Sequence, residues 1–292
     1  MPALRFKQVD VFTDRPFFGN PVAVVLDGDG LDAAAMQRIA AWTNLSETTF
    51  VLRPTAPGAD YALRIFTPRA ELPFAGHPTV GSAHAVLEAG LVAPKPELRQ
   101  ECGAGVLRLV VEGAGSARRI SVEAPPASLA PLGADALPEV ERALGARLAA
   151  GATGQLVAIG PRWLTLMLAD AIAVRALTPD MAAVAAVSRK LGATGITVFG
   201  PERGGDHDIV VRSFAPGEGV PEDPVCGSGN AAVGAWLQHA GVKVGSGGRH
   251  VASQGRELGR DGYVAVRVDG ATRRVWIGGA AVTCVDGALH VD

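Results

Sequence analysis

Four side chains are able to do chemistry and occupy distinctive places in a sequence that repeats itself. His77 belongs to Gly76-His77-Pro78-Thr79-Val80-Gly81-Ser82-Ala83, and Asp223 takes the same place in Glu222-Asp223-Pro224-Val225-Cys226-Gly227-Ser228-Gly229. The offset (223 − 77) is 146 positions, half of the 292-residue chain. Upstream, Arg64-Ile65-Phe66-Thr67-Pro68 returns as Arg212-Ser213-Phe214-Ala215-Pro216 at an offset of 148. Such a duplication predicts two similar lobes, each presenting a Pro-led, Gly/Ser-rich helix start. Chemistry is then expected where the copies differ: His77 against Asp223, Val80 against Cys226, and Glu47 against Gly195.

Glu47 stands in Asn44-Leu45-Ser46-Glu47-Thr48-Thr49-Phe50-Val51-Leu52, where a helix is expected to give way to a strand. The commonest fate of such a carboxylate is an exposed loop. Its apolar neighbours Leu45, Phe50 and Leu52 would instead strip it of water and raise its pKa, making it a general acid/base usable near neutrality. Asp223 before Pro224 reads equally well as a helix N-cap. Histidine is a poor N-cap, so His77 at the equivalent position points to a titratable group facing a cleft. The two together would grip a substrate or relay protons from opposite lobes. Gly81-Ser82 and Gly227-Ser228 are expected to leave the first helical turns uncovered, with N–H groups free to hold an anion. Facing each other across a cleft, the two starts would stabilise charge on a deprotonated carbon acid. Cys226 heads a helix start that favours a thiolate, but a two-thiol racemase needs a second cysteine where Val80 stands. Cys226 is therefore read as a small buried residue or a lining of the site.

The elements that must position these groups follow from short β-branched runs and two helical segments in each half. In the first half, strands are expected at Phe6–Phe12, Val22–Leu26, Thr48–Leu52, Tyr61–Phe66, Leu107–Glu112 and Ile120–Glu123. Helices are expected at Leu31–Trp42, with Asn44 as C′ residue, and from Pro78 to a stop at Gly90. In the second half the strands are Trp163–Leu168, Ile196–Phe199 and Ile209–Phe214, and the helices Pro179–Leu191 and Pro224–Ala240, the latter ended by Gly241. The Pro/Ala-rich stretch Ala124–Pro131 reads as a linker. The spacing favours an α+β fold of two pseudo-symmetric lobes, each a mixed, mostly antiparallel barrel-like sheet around a central helix. Residues 1–127 form the lobe carrying Glu47 and 128–292 the other, with a last strand, about 278–292, able to return to the first lobe. The small residues Gly81, Ser82, Ala83, Gly227, Ser228 and Gly229 would let strands approach that helix closely.

Composition narrows the partners. Hydrophobic residues are 48% of the chain, ample for two cores, and the net charge of −2 supplies no basic stripe for nucleic acid or an anionic membrane. No signal-peptide run or membrane span is present in the sequence, and Cys102, Cys226 and Cys284 are widely separated, so free thiols in a cytoplasmic setting are expected. His77 and His84 share a helix face without a third ligand at metal spacing, so His84 is read as packed and no metal is expected. Gly227-Ser228-Gly229-Asn230-Ala231-Ala232 imitates a dinucleotide fingerprint but follows Glu222-Asp223-Pro224, and no acid stands about 20 residues on, so it is not read as a dinucleotide site.

Several further motifs run nearly end to end: Asp10-Val11-Phe12, Gly19-Asn20-Pro21-Val22-Ala23-Val24, Glu71-Leu72-Pro73-Phe74-Ala75-Gly76-His77-Pro78, Gln254-Gly255 and Gly259-Arg260. With the segments already quoted, they resemble the phenazine-biosynthesis PhzF-like isomerases of the diaminopimelate epimerase superfamily. The resemblance implies a cofactor-independent isomerase, commonly a homodimer, with a glutamate acid/base at Glu47. It also implies substrate-binding partners at Ser46, His77, Asp223 and the amides around Gly76, Gly227 and Ser228. The family's named reaction moves a proton between ring carbons of trans-2,3-dihydro-3-hydroxyanthranilate. At Cys226 the chain departs from the phenazine enzymes and is similar to the Cys-Gly-Ser-Gly of the epimerases. Three readings stand: a proton-shifting isomerase of a small carboxylated substrate, an amino-acid epimerase or racemase using Cys226, and a non-catalytic small-anion binding protein.

Overall fold

A computed structural model of the chain describes residues 3–149, 151 and 153–291. In chain order the elements are β1 (Ala3–Val11), β2 (Asn20–Val25), α1 (Ala33–Thr43), β3 (Thr48–Leu52), β4 (Tyr61–Phe66), β5 (Glu71–Leu72), α2 (Gly76–Glu88), β6 (Glu97–Cys102), β7 (Gly105–Glu112) and β8 (Arg119–Glu123). There follow β9 (Ser128–Pro131), α3 (Leu137–Leu144), β10 (Gln155–Ala158), β11 (Arg162–Met167), α4 (Ala171–Arg175), α5 (Met181–Lys190), β12 (Gly195–Pro201), β13 (Ile209–Ala215), β14 (Val220–Asp223), α6 (Gly227–Ala240), β15 (Arg249–Gln254), β16 (Gly262–Val268), β17 (Val275–Gly279) and β18 (Ala281–His290). The fold is α+β. Its contacts form two units, one of the chain up to Glu123 with Gly278 onward, the other Ala124–Ile277. The terminal residues Met1, Pro2 and Asp292, included in the expected domain ranges, lie outside the described residues.

The two units share one strand order. In the first, β18 pairs with β1, β1 with β2, β2 with β3, β3 with β4, β4 with β6, β6 with β7 and β7 with β8. In the second, β9, β10, β11, β12, β13, β15 and β16 pair in the same succession. The parallel pairs fall at matching places, β2–β3 and β4–β6 against β11–β12 and β13–β15. Register agrees as well: Thr48 faces Phe66 and Ile196 faces Phe214, so 196 − 48 and 214 − 66 both equal 148.

In each unit the strands wrap a helix. Every residue of α2 from Gly76 to Leu87 is buried, the signature of a helix surrounded by protein rather than lying on a surface. It touches β1, β2, β3, β8 and β18. A Cβ on Gly81 would lie 2.5 Å from Val22 Cγ1 and 2.8 Å from Val11 Cγ2, so glycine is what allows these strands to close on the helix. In the second unit α6 touches β10, β11, β12 and β16. On the outer face of the first sheet, α1 packs Met36 and Ala40 against Phe50 and Phe66, whose rings meet edge to face at 5.6 Å.

Several expectations need correction. The second half carries four helices rather than two, because the short α3 and α4 lie outside the repeated frame. Ser128–Pro131, in the expected linker, is strand β9, paired with β10. Neither central helix starts at its proline. Helix α2 begins at Gly76, placing Pro78 third, where its missing N–H has no helical acceptor to lose. Helix α6 begins at Gly227 with Cys226 as N-cap. Asp223 is not its N-cap, because its Oδ1 accepts from Val225 N at 3.1 Å in a tight turn that precedes the helix.

Candidate active site

Helix α1 ends at Asn44, whose left-handed backbone (φ 54°) turns the chain sharply. Three residues later Glu47 stands at the threshold of β3, its carbonyl accepting from Ala23 N of β2 at 3.4 Å. Its side chain is only 16% exposed, and its Oε2 lies 3.4 Å from His77 Nδ1 in the first turn of α2. This is an ion-pair distance, and among the described residues Oε2 receives no hydrogen bond. Loss of water pushes the Glu47 pKa up from 4.5 to about 7, against a hydrogen bond with Ser46 that favours the ionised form. Ser46, Glu47, Gly76 and His77 are thus gathered in one place, 30 residues apart in sequence (77 − 47). His77 itself is buried.

The start of α2 is open. Its cap residue Ala75 offers no side-chain acceptor, so the first amides, beginning at Gly76, are not covered by a capping group, a geometry that favours an anion. Gly81 and Ser82, expected to leave that turn bare, instead lie mid-helix. Gly81 is pressed between strands, and Ser82 Oγ is bonded to Thr49 Oγ1 of β3 at 2.8 Å. The correction arises because α2 begins five residues earlier than its repeat partner α6 once the 146-residue offset is applied.

In the second unit, Asp223 closes β14 and Cys226 caps α6, its Sγ accepting from Gly229 N at 3.3 Å. Burial, and then the nearby Asp223 charge, push the Cys226 thiol well above its ordinary value. The thiol form is therefore the stable one, whereas a base would need the thiolate. The cap occupies the Gly229 amide and leaves those of Gly227 and Ser228 in the first turn ahead of it. Ser228 Oγ accepts from Trp163 Nε1 at 3.0 Å, a partner that sequence reasoning did not single out.

The register explains why one unit alone carries the acid. Gly195 takes the place of Glu47 one residue before the Ile196–Phe214 pair, and a Cβ there would lie 2.1 Å from Phe214 O and 2.8 Å from the Trp163 ring. No larger side chain fits without moving backbone. Among the described residues no three His, Cys, Asp or Glu side chains converge as metal ligands, and no helix is long and apolar enough to cross a membrane. The arrangement can remove a proton from carbon and return it, beside an open helix start that favours negative charge.

The family described as phenazine biosynthesis-like protein matches residues 9–287. Antisense-enhancing sequence 1 of Schizosaccharomyces pombe is 43% identical, with 98% of each chain covered. The trans-2,3-dihydro-3-hydroxyanthranilate isomerase of Pseudomonas chlororaphis is 35% identical over 96% of this chain and 97% of its own. Among solved structures, the Bacillus anthracis PhzF-family protein superposes with a TM-score of 0.87 at 25% identity, covering 100% of both chains. A probable proline racemase from Agrobacterium radiobacter shares the fold at a TM-score of 0.66 and 16% identity, over 99% of this chain and 93% of that one.

Proposed function

This chain belongs to the phenazine biosynthesis-like family and is an isomerase, and on that premise we propose that it shifts a proton on a small carboxylated substrate, with Glu47 as the acid/base. The observation that carries the reading is the buried Glu47 carboxyl, whose Oε2 accepts no hydrogen bond among the described residues and lies 3.4 Å from His77 Nδ1, with loss of water pushing its pKa up to about 7. A group with that pKa is present in both forms at neutral pH, so a single side chain can take a proton as carboxylate and deliver it as carboxylic acid. The substrate carbon must be acidified by conjugation, and the electron pair left on deprotonation is delocalised toward the substrate's own acidifying group. His77 and the open amides at Gly76 would stabilise that charge. Ser46 holds the Glu47 carboxyl in place.

In the same proposal Asp223 and the amides of Gly227 and Ser228 bind polar groups of the substrate, Cys226 lines that region as a neutral thiol, and the protein works without a cofactor as a homodimer. The steep desolvation of Cys226 weighs against the epimerase reading, since the thiolate it requires is the disfavoured form. The relative's named substrate, trans-2,3-dihydro-3-hydroxyanthranilate, is the first compound to test. Incubation of it and of a panel of small carboxylates in heavy water should show deuterium entering carbon with the wild type and not with Glu47→Gln. Incorporation at an undiminished rate by the variant rejects Glu47 as the acid/base. Binding without exchange by the wild type favours the anion-binding reading instead.

A further inference from the structure

Gln254 ends β15 and Gly255 follows it, both outside the groups assigned to the reaction. Gln254 is completely buried, and both ends of its side-chain amide are spent on one short stretch of chain. Its Nε2 donates to Asp223 O at 2.9 Å. Its Oε1 accepts from Cys226 N at 3.1 Å and from Asn230 Nδ2 at 2.9 Å, and Asn230 Nδ2 also donates to Cys226 O at 2.8 Å. The first and last residues of Asp223-Pro224-Val225-Cys226 are therefore tied to the same side chain.

The two residues between them are held by close contact. Gly255 has φ +98°, and a Cβ there would stand 2.4 Å from Pro224 O. A Cβ on Gly262, at the start of β16, would stand 2.3 Å from Val225 Cγ2. Gln254, Gly255 and Gly262 thus form a shelf that grips every residue of the stretch. The grip fixes two things: the tight turn in which Asp223 Oδ1 accepts from Val225 N, and the entry of the chain into α6 at Cys226.

We propose that Gln254 is a positioning residue for the reaction: by clamping Asp223–Cys226 it pre-sets the Asp223 carboxylate and the Gly227 and Ser228 amides for the substrate. The inference rests on the assignment of Asp223 as a substrate-binding group. A buried amide is an apt device for this purpose, because it holds an N–H donor group and a two-fold acceptor oxygen in a fixed plane, and loss of either leaves a buried backbone group unsatisfied. Preorganisation of this kind is what a displacement of 1 Å forfeits, at up to about 10²-fold in rate.

Two measurements on Gln254→Met, which keeps the volume and removes both polar ends, test the proposal. The first needs no substrate. Amide hydrogen exchange at Val225 should accelerate at least about tenfold while Val233 and Trp236 within α6 keep their protection. Unchanged protection at Val225, or equal loss throughout α6, overturns the clamp. The second is a double-mutant cycle with Asp223→Asn, read as kcat/KM for deuterium incorporation into trans-2,3-dihydro-3-hydroxyanthranilate. Gln254→Met should cost about 10–100-fold alone and little further in the Asp223→Asn background. Full additivity marks a merely structural role and rejects positioning. If Asp223→Asn alone has no effect, the assignment of Asp223 fails rather than the clamp, which the exchange experiment judges separately. Should Gln254→Met not fold, Gln254→Leu, which also removes both polar ends, carries the same two readouts with the same deciding outcomes.

Discussion

Replacing Glu47 by Gln should abolish turnover and at the same time stabilise the protein at alkaline pH. The folded-state pKa of about 7 against an ordinary 4.5 is a difference of about 2.5 units, at about 1.4 kcal/mol each. Because the folded value is the higher one, the native state binds more protons than the unfolded chain between pH 4.5 and 7, and stability falls as pH rises through that window. Integrated over the titration, the ionised carboxyl costs the native state about 1 kcal/mol at pH 5 and about 3 kcal/mol at pH 8. The side chain is 16% exposed, so residual hydration makes these figures upper values. Glutamine has the same shape and never ionises. Urea unfolding at the two pH values, compared at a common m-value, should show the variant's advantage growing by about 2 kcal/mol from pH 5 to pH 8. Deuterium incorporation should fall by about 10²–10⁴-fold or more. Opposed changes in activity and stability mark a group held at a cost for its function. An advantage that does not change with pH would show that the carboxyl is not desolvated, and undiminished incorporation would refute its role in proton transfer.

Three further outcomes follow from the same geometry. For wild-type protein, kcat/KM for the proton-removing direction should rise with pH through about 7, as Glu47 passes into its carboxylate form; a flat profile from roughly pH 6 to 8 counts against it. Cys226→Ala should leave turnover near the wild-type level while costing about 1 kcal/mol of stability through loss of the helix cap; a fall of about tenfold or more in kcat would restore the thiol as a reacting group. Gly81→Ala should lower the urea midpoint, since a methyl group 2.5 Å from Val22 Cγ1 overpacks the core by about 1–3 kcal/mol against a helix-propensity gain of about 1 kcal/mol. A raised midpoint would show that the strands can step away from α2.

The amino-acid sequence alone determined the duplication, the strands Thr48–Leu52 and Tyr61–Phe66 to the residue, and the single unpaired acid. These are legible because alternation, turn residues and repeat offsets are properties of neighbours along the chain. Strand β6 escaped notice because its inward alternation includes Gln100, a polar residue satisfied by Tyr61 OH and Thr79 Oγ1 from other elements. The start of α6 lies beyond the expected Pro224 for a similar reason: Asp223 Oδ1 accepts from Val225 N, and Gln254 takes the Cys226 amide from 28 positions away. Only the tertiary structure brought His77 within 3.4 Å of Glu47 and set Phe214 O against the one position where a second acid could have stood. Burial, and with it the pKa of Glu47, depends on every atom that excludes water around a group, and those atoms come from elements far apart in the sequence.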